Sequence, residues 1–241
     1  MCYELLKTII KDSTNIVFFG GAGVSTESSI PDFRSTNGLY NTKNDLNYPP
    51  EVILSHSFFM EHTENFFQFY KSNMIFPNAL PNDAHLVLAK MGEKNKLKAI
   101  ITQNIDGLHQ IAGSKIVYEL HGSIHRNHCM NCNKTFDCNY ILDSKTIIPR
   151  CDSCGGIIKP DVVLYDESLD MEILECSIKA ISIADTLIVG GTSLVVNPAA
   201  SLIKYFRGNN LILINKSSTP YDKKANLVIN DSIGKVLKHV Y

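Results

Sequence analysis

Two C-x-x-C pairs, Cys129 with Cys132 and Cys151 with Cys154, are the residues best spaced for chemistry in this chain. Two intervening residues let a tight turn aim both sulfurs at one ion, and two such turns complete a tetrahedral thiolate shell. A shell closed by four protein ligands has no position for water, so the spacing implies one structural Zn2+ and no metal catalysis. His125 and His128 flank the first pair. With the shell already full, they are expected to face solvent.

Other polar residues gather after apolar runs. Gly21, Ala22 and Gly23 follow the run 16–19, where a glycine turn lets backbone approach a phosphate at a helix N-terminus. The turn departs from G-x-G-x-x-G, because Thr26 stands at the third glycine position. Nor does an acidic residue close a second strand about 20 residues on, as a hydride-transfer enzyme would require. Pro31 limits the following helix, and Asp32, Phe33 and Arg34 come next. A phenyl face can cover a flat ring, and a guanidinium can grip a phosphate in bidentate fashion. Gln103, Asn104 and Asp106 directly follow the run 99–102, at a strand's carboxyl end, where α/β sheets bind ligands. His121 ends the next run in the same way. Spacing alone leaves it open between a loop residue and an acid–base group, although imidazole titrates near neutrality.

The elements that must position these residues alternate along the chain. Apolar, β-branched runs at 16–19, 99–102, 117–120, 162–164, 187–189, 211–214 and 227–229 read as strands buried on both faces. Helical patterns at 83–90, 105–112, 171–184, 198–207 and 232–240 fall between several of them, and 1–12 reads as a short amphipathic helix. This rhythm predicts an α/β fold with a doubly wound parallel sheet. Two stretches interrupt it: 37–76, with an Asn-rich start and an aromatic helix at 58–70, and 125–156, with the cysteine pairs. Both are inserted between strands. They are expected to form a smaller domain (37–76 and 125–156) beside a larger one (1–36, 77–124 and 157–241).

At 241 residues and 44% hydrophobic content, the chain can bury one large core and a small satellite. A formal net charge of −1 without a Lys/Arg block leaves no electrostatic footprint for nucleic acid. No apolar run approaches the ~20 residues of a membrane span, and the start of the chain lacks the pattern of a secretion signal. A cytoplasmic monomer is expected, with thiolates in preference to disulfides. Cys2, Cys138 and Cys176 are assigned no role.

In order along the chain come Gly21-Ala22-Gly23-Val24-Ser25, Ile30-Pro31-Asp32-Phe33-Arg34, Thr102-Gln103-Asn104-Ile105-Asp106-Gly107-Leu108-His109 and His121-Gly122-Ser123. The cysteine pairs, Lys159-Pro160-Asp161-Val162-Val163 and Gly191-Thr192-Ser193-Leu194-Val195-Val196-Asn197-Pro198 follow. On these blocks the chain resembles the sirtuins, the NAD-dependent protein lysine deacylases, and among them the short bacterial type, over essentially its whole length. The resemblance implies a Rossmann-like NAD-binding domain with an inserted zinc-ribbon and helical domain. It implies NAD as co-substrate and acyl-lysine-bearing proteins as partners. The implied reaction removes acetyl, and more widely neutral acyl groups, giving nicotinamide and 2′-O-acyl-ADP-ribose.

The resemblance also implies roles. Gly21, Ala22, Gly23, Thr26, Asp32, Phe33 and Arg34 would line the cofactor cleft. Gln103 would bind the nicotinamide ribose, and Asn104, Ile105 and Asp106 the nicotinamide end. Gly191, Thr192, Ser193, Asn215, Ser232 and Ile233 would hold the phosphates and the adenosine half. Val162, Val163, Tyr165, Glu167, Leu194, Val195 and Val196 would contact the peptide. His121, with Asn104 and Asp106, would be catalytic: the acyl oxygen attacks the ribose C1′, and His121 then serves as general base on a ribose hydroxyl. The chain has Tyr165-Asp166-Glu167 where sirtuins usually have Phe-Gly-Glu, in a loop that pairs with the substrate as an added strand. The competing reading is an ADP-ribosyltransferase using the same cleft. A non-catalytic zinc module is the third, against which the intact set Gln103, Asn104, Asp106 and His121 argues.

Sirtuins that remove succinyl or malonyl groups share a Tyr-x-x-Arg pair on the small-domain helix. Here Tyr70 matches and Asn73 stands at the arginine position. A buried acyl carboxylate would lack its bidentate cation. Lys71 points about 100° away from such a neighbour on a helix, which leaves Lys43 in the loop as the cation that could substitute. Neutral acyl groups are therefore expected.

Overall fold

The computed structural model describes residues 2–36, 38–41 and 46–241. Among these residues nine strands form two sheets: β1 (Ile16–Gly20), β2 (Leu97–Thr102), β3 (Val117–Glu119), β4 (Gly122–Cys129), β5 (Thr135–Phe136), β6 (Ile158–Val162), β7 (Thr186–Gly190), β8 (Asn210–Ile214) and β9 (Leu227–Ile229). The larger sheet runs β3-β2-β1-β7-β8-β9, and every pair in it is parallel.

Alternation along these strands builds two cores. Phe18, Ile100, Ile188 and Ile212 point to one face and pack with the helices Cys2–Asp12, Asp83–Glu93 and Ile233–Val240 through Leu6, Leu88, Met91 and Leu237. Val17, Phe19, Ile101, Leu187, Val189 and Leu213 point to the other, against Ile181 of the helix Met171–Ile183 and Leu202 and Ile203 of a 3-10 stretch. Successive residues of a strand face opposite ways, so an all-apolar run such as β1 needs cover on both sides, and two layers of helix supply it. The expected doubly wound sheet is present.

The smaller sheet, β5-β4-β6, is antiparallel. It shares a third core with the aromatic helices: Phe59, Phe66, Phe67 and Tyr70 pack with Ile124, Ile141 and Ile158. Phe59 and Phe66 meet edge to face at 4.9 Å.

Several sequence expectations change. The run 162–164 does not form a strand of the large sheet; its first residue ends β6, which pairs with β4. The helix expected over 105–112 shortens to Leu108–Ile111, because Gly107 (φ 71°) precedes it in a left-handed conformation. The stretch 198–207 is a 3-10 helix, Ala199–Tyr205. Among the described residues no helix is long and apolar enough to cross a membrane.

Strand order reverses beside β1, whose neighbours are β2 and β7. In open α/β sheets that switch point opens a crevice at the carboxyl ends. Here the loops after β1 and β7 touch through backbone: the Gly23 amide donates to the Gly191 carbonyl at 2.8 Å. Gly191 has φ 60°, and a Cβ on it would lie 2.4 Å from the Val24 nitrogen; a Cβ on Gly23 would lie 2.7 Å from the Gly191 Cα. Replacing Gly191 with alanine should lower stability by about 2–4 kcal/mol, from left-handed strain plus overpacking. A denaturant midpoint equal to wild type would show that these loops can part freely.

Candidate active site

A cleft of about 1220 Å³ opens at this switch point. The residues that follow β1, β2, β7 and β8 form its floor, tied together by side-chain hydrogen bonds. Gln103 Nε2 donates to Thr192 Oγ1 at 3.0 Å. The Thr192 amide donates to Asn215 Oδ1 at 2.9 Å. Asn215 Nδ2 is buried without a partner among the described residues. A buried donor left over in a cleft wall suits a hydroxyl-bearing ligand.

The polar loop after β2 is held from several sides. Ser25 Oγ donates to Asp106 Oδ2 at 2.6 Å and accepts from Asn104 Nδ2 at 2.9 Å. Asp106 Oδ1 accepts the Leu108 amide at 2.9 Å, capping the short helix. Three contacts then run from the β4 side. His121 Nδ1 meets the Gln103 carbonyl at 3.0 Å, the Ile124 amide donates to the Ile105 carbonyl at 3.0 Å, and His125 Nε2 meets the Asp106 carbonyl at 3.0 Å.

A carbonyl can only accept, so each imidazole nitrogen in these contacts carries the proton. His121 therefore keeps its lone pair on Nε2, and His121 lines the cleft. Burial pulls the His121 imidazole below its ordinary value, against the Gln103 hydrogen bond, which raises it. The imidazole is thus neutral at pH 7, the form a general base needs. His125 is exposed, as expected, and it also lines the cleft, where it steadies Asp106. No sequence signal marks that partnership, nor the place of Ser25 between Asn104 and Asp106.

Gly21, Ala22, Gly23, Thr26, Asp32, Phe33 and Arg34 all line the cleft, as do Ile105, Gly191, Ser193, Ser232 and Ile233. Asp32 Oδ1 accepts the Ser35 amide at 2.8 Å, closing the turn that presents Phe33 and Arg34. Arg34 lies over the Tyr40 ring, 5.4 Å from its centroid. Beside Ser232, the Glu27 carboxylate accepts the Gly234 amide at 2.9 Å and so joins the glycine turn's segment to the last helix.

Val162, Val163, Tyr165 and Glu167 line the opposite lip with Val196. The Val163 amide donates to the His121 carbonyl at 3.0 Å, and the Tyr165 amide and carbonyl bond to Leu54 and His56. Glu167 is fixed by His56 Nδ1 (2.8 Å), Lys159 Nζ (3.1 Å) and the Leu164 amide (2.9 Å). Burial raises the Glu167 carboxyl, but the Leu164 amide, His56 and Lys159 together hold it below its usual range. Asp166 takes φ 72°, a left-handed conformation that aspartate enters more readily than most residues. Leu194 and Val195 are not brought to the cleft. Leu194 (φ 56°) turns into the core beneath the sheet, and Val195 is half exposed.

Asn73 lines the cleft, and its Nδ2 donates to the Phe69 carbonyl at 3.0 Å. Tyr70 is fully buried, stacked on Phe66, and does not reach the wall. Lys71 reaches the Thr146 carbonyl at 3.4 Å. Lys43 lies outside the described residues.

Away from the cleft, the Cys129, Cys132, Cys151 and Cys154 sulfurs lie within 4.8 Å of one another. The contacts Cys129–Cys154 (3.4 Å), Cys132–Cys154 (3.5 Å) and Cys132–Cys151 (3.7 Å) are far longer than a disulfide. They approach the roughly 3.8 Å edge of a tetrahedron with Zn–S bonds of about 2.3 Å. The Cys129 thiol is lowered to about 6, foremost by the Cys132 backbone amide and, against burial, by that of Asn131. Amides aimed at sulfur favour thiolate, the form that binds zinc. The donor set fits one structural zinc.

A model of the Sir2 family matches residues 21–198. The chain belongs to the Sir2 family, the sirtuins. This sirtuin is 70% identical over 235 residues to an NAD-dependent protein deacetylase of Clostridium acetobutylicum, covering 98% of this chain and 96% of the relative. It is 53% identical over 240 residues to an NAD-dependent protein deacetylase of Cutibacterium acnes, covering 100% and 98%. Among solved structures, a Sir2 variant with a deacetylated p53 peptide and 3′-O-acetyl ADP ribose superposes with a TM-score of 0.90 at 38% identity, covering 100% of this chain and 97% of that one. A Sir2 complex with a p53 peptide and NAD+ gives 0.87 at 38% identity, with the same coverage.

If the cysteine cluster holds zinc, Cys129→Ser should release the one ion per chain found in wild type by elemental analysis. The melting temperature should fall by about 5–10 °C, since metal binding is folding energy in such sites and 1 kcal/mol moves melting by about 2–4 °C at this size. Full metal content with an unchanged melt would overturn the assignment.

Proposed function

We propose that this sirtuin removes acetyl groups from protein lysines at the expense of NAD and water, freeing the lysine amine, releasing nicotinamide and leaving the acyl group on the ribose. The observation that carries the reading is His121, fixed through Nδ1, in the same cleft as the loop of Asn104, Ile105 and Asp106. NAD supplies the bond that breaks, between nicotinamide and ribose. The chain's residues bind, orient and move protons. Asn104, Ile105 and Asp106 hold the nicotinamide end, and Gln103 the adjoining ribose. Arg34 meets the phosphates, which the side-chain-free glycine turn lets come close to its backbone, and Phe33 covers the ring system from water. Asn215 offers its unpartnered amide to the adenosine ribose, beside Ser232 and Ile233. His121 Nε2 accepts a proton from a ribose hydroxyl, which is the general-base step. Peptide lies along the lip 162–167 as an added strand.

Incubation with an acetyl-lysine peptide and NAD tests the reading. Deacetylated peptide with free nicotinamide is expected; stable label on the protein would instead favour ADP-ribosyl transfer. The proposal extends to a cytoplasmic monomer without a nucleic-acid role. Free thiols suited to a reducing compartment and a net charge of −1 support its first and last parts.

His121→Ala should keep NAD affinity and lose about 10²–10⁴-fold in kcat. In wild type the acid limb of kcat/KM should fall below the ordinary histidine value of 6.5. Desolvation disfavours imidazolium, so the base stays neutral to lower pH before activity is lost. Near-normal turnover in the variant would refute the role.

Acetyl-lysine should exceed succinyl-lysine in kcat/KM on one peptide by about tenfold or more, because an acyl carboxylate near Asn73 finds no cation among the described residues of the wall at 73–77. A faster succinyl reaction would sink the expectation.

A further inference from the structure

We infer that the hydroxyls of Tyr40 and Tyr165 form a latch joining the nucleotide and peptide half-sites, so that each ligand tightens the other. The inference rests on the assignment of 31–34 to nucleotide and 162–167 to peptide. Its carrying observation is one contact, 2.6 Å between the two phenol oxygens. These residues are 125 positions apart in sequence.

Each tyrosine is built into its own half-site. The Tyr40 amide donates to the Phe33 carbonyl at 2.9 Å, and the Leu39 amide to the Asp32 carbonyl at 2.8 Å. Phe33 meets the Tyr40 ring edge-on, with centroids 5.5 Å apart. Arg34 lies across the same ring. Tyr40 is therefore the brace for both side chains that would face the nucleotide. Tyr165 has both backbone groups committed, its amide to Leu54 and its carbonyl to His56. It stands between Val163, bonded to the His121 carbonyl, and the clamped Glu167. Tyr165 thus moves with the peptide lip.

A phenol ring with no partner at its hydroxyl can turn and shift at little cost. Two phenols bonded tip to tip restrict each other. A nucleotide that settles Phe33 and Arg34 fixes the Tyr40 ring and, through it, the lip. A peptide paired along the lip fixes Tyr165 and, through it, Tyr40 with Phe33 and Arg34. The ordering done by the first ligand need not be repeated for the second, which is positive coupling. Thermodynamics makes that coupling equal in both directions. Burial first, and the Tyr165 hydroxyl second, push Tyr40 above the ordinary phenol range, so Tyr40 stays protonated and able to donate at any working pH.

Tyr165→Phe removes one oxygen and leaves the ring, which makes it the decisive variant. Calorimetric titration of wild type with ADP-ribose, a nucleotide that cannot react, is run with and without a saturating acetyl-lysine peptide. Wild type should bind ADP-ribose more tightly when peptide is present. That coupling factor should shrink by about two- to tenfold in Tyr165→Phe, the net worth of one hydrogen bond. Tyr40→Phe should lose the same factor, and the double variant should lose no more than either single one. An equal coupling factor in wild type and Tyr165→Phe, absence of coupling in wild type, or additive losses in the double variant would each overturn the latch. Failure of wild type to bind either ligand would instead overturn the functional reading, and the latch with it.

Discussion

The approach of two backbones at the switch point sets the conditions for the rest of the molecule. The amide of Gly23 on the carbonyl of Gly191 brings the loops after β1 and β7 closer than any side chain at either position would permit. Closure at that point turns the crevice floor into backbone and short polar groups. Gln103, Thr192 and Asn215 can then link across three strand ends by hydrogen bonds of 3.0 and 2.9 Å. Larger residues would fill the space a dinucleotide needs and separate the loops that must grip it.

The second dependence is the loop after β2. It has little regular structure, yet its carbonyls at Gln103, Ile105 and Asp106 are each held from the segment 121–125. His121, the proposed general base, thereby does two things with one ring. Nδ1 holds the loop that would receive nicotinamide, and the same bond fixes the tautomer that leaves Nε2 free for proton transfer. Binding and acid–base chemistry share a single hydrogen bond.

The large sheet was legible in the sequence because its strands are fully buried, and burial on both faces writes itself as unbroken apolar runs at 16–19, 187–189 and 211–214. The cysteine cluster was legible because ligand spacing is a local property. β4 was not legible. Its sequence, Gly-Ser-Ile-His-Arg-Asn-His-Cys, has the composition of a polar loop, and only pairing with β6 makes it a strand. The run 162–164 misled for the complementary reason: apolar character says that a segment is buried, not which partner it pairs with. His125 and Tyr40 were missed because their partners, the Asp106 carbonyl and the Tyr165 hydroxyl, are set by tertiary structure. Leu194 fails to reach the cleft because a left-handed backbone turns it into the core.

β4 has a further consequence. It starts one residue after His121 and ends on Cys129, so one strand, irregular in its pairing between Ser123 and Asn127, has the proposed general base at one end and a metal ligand at the other. The zinc knot touches no reactant, yet it anchors the beam on which the base is mounted. A ligand shell of thiolates is sensitive to oxidants and to metal supply, and a beam unpinned at its far end cannot hold its near end still. In this architecture an ion remote from the cleft would set how rigidly the proposed proton acceptor is aimed.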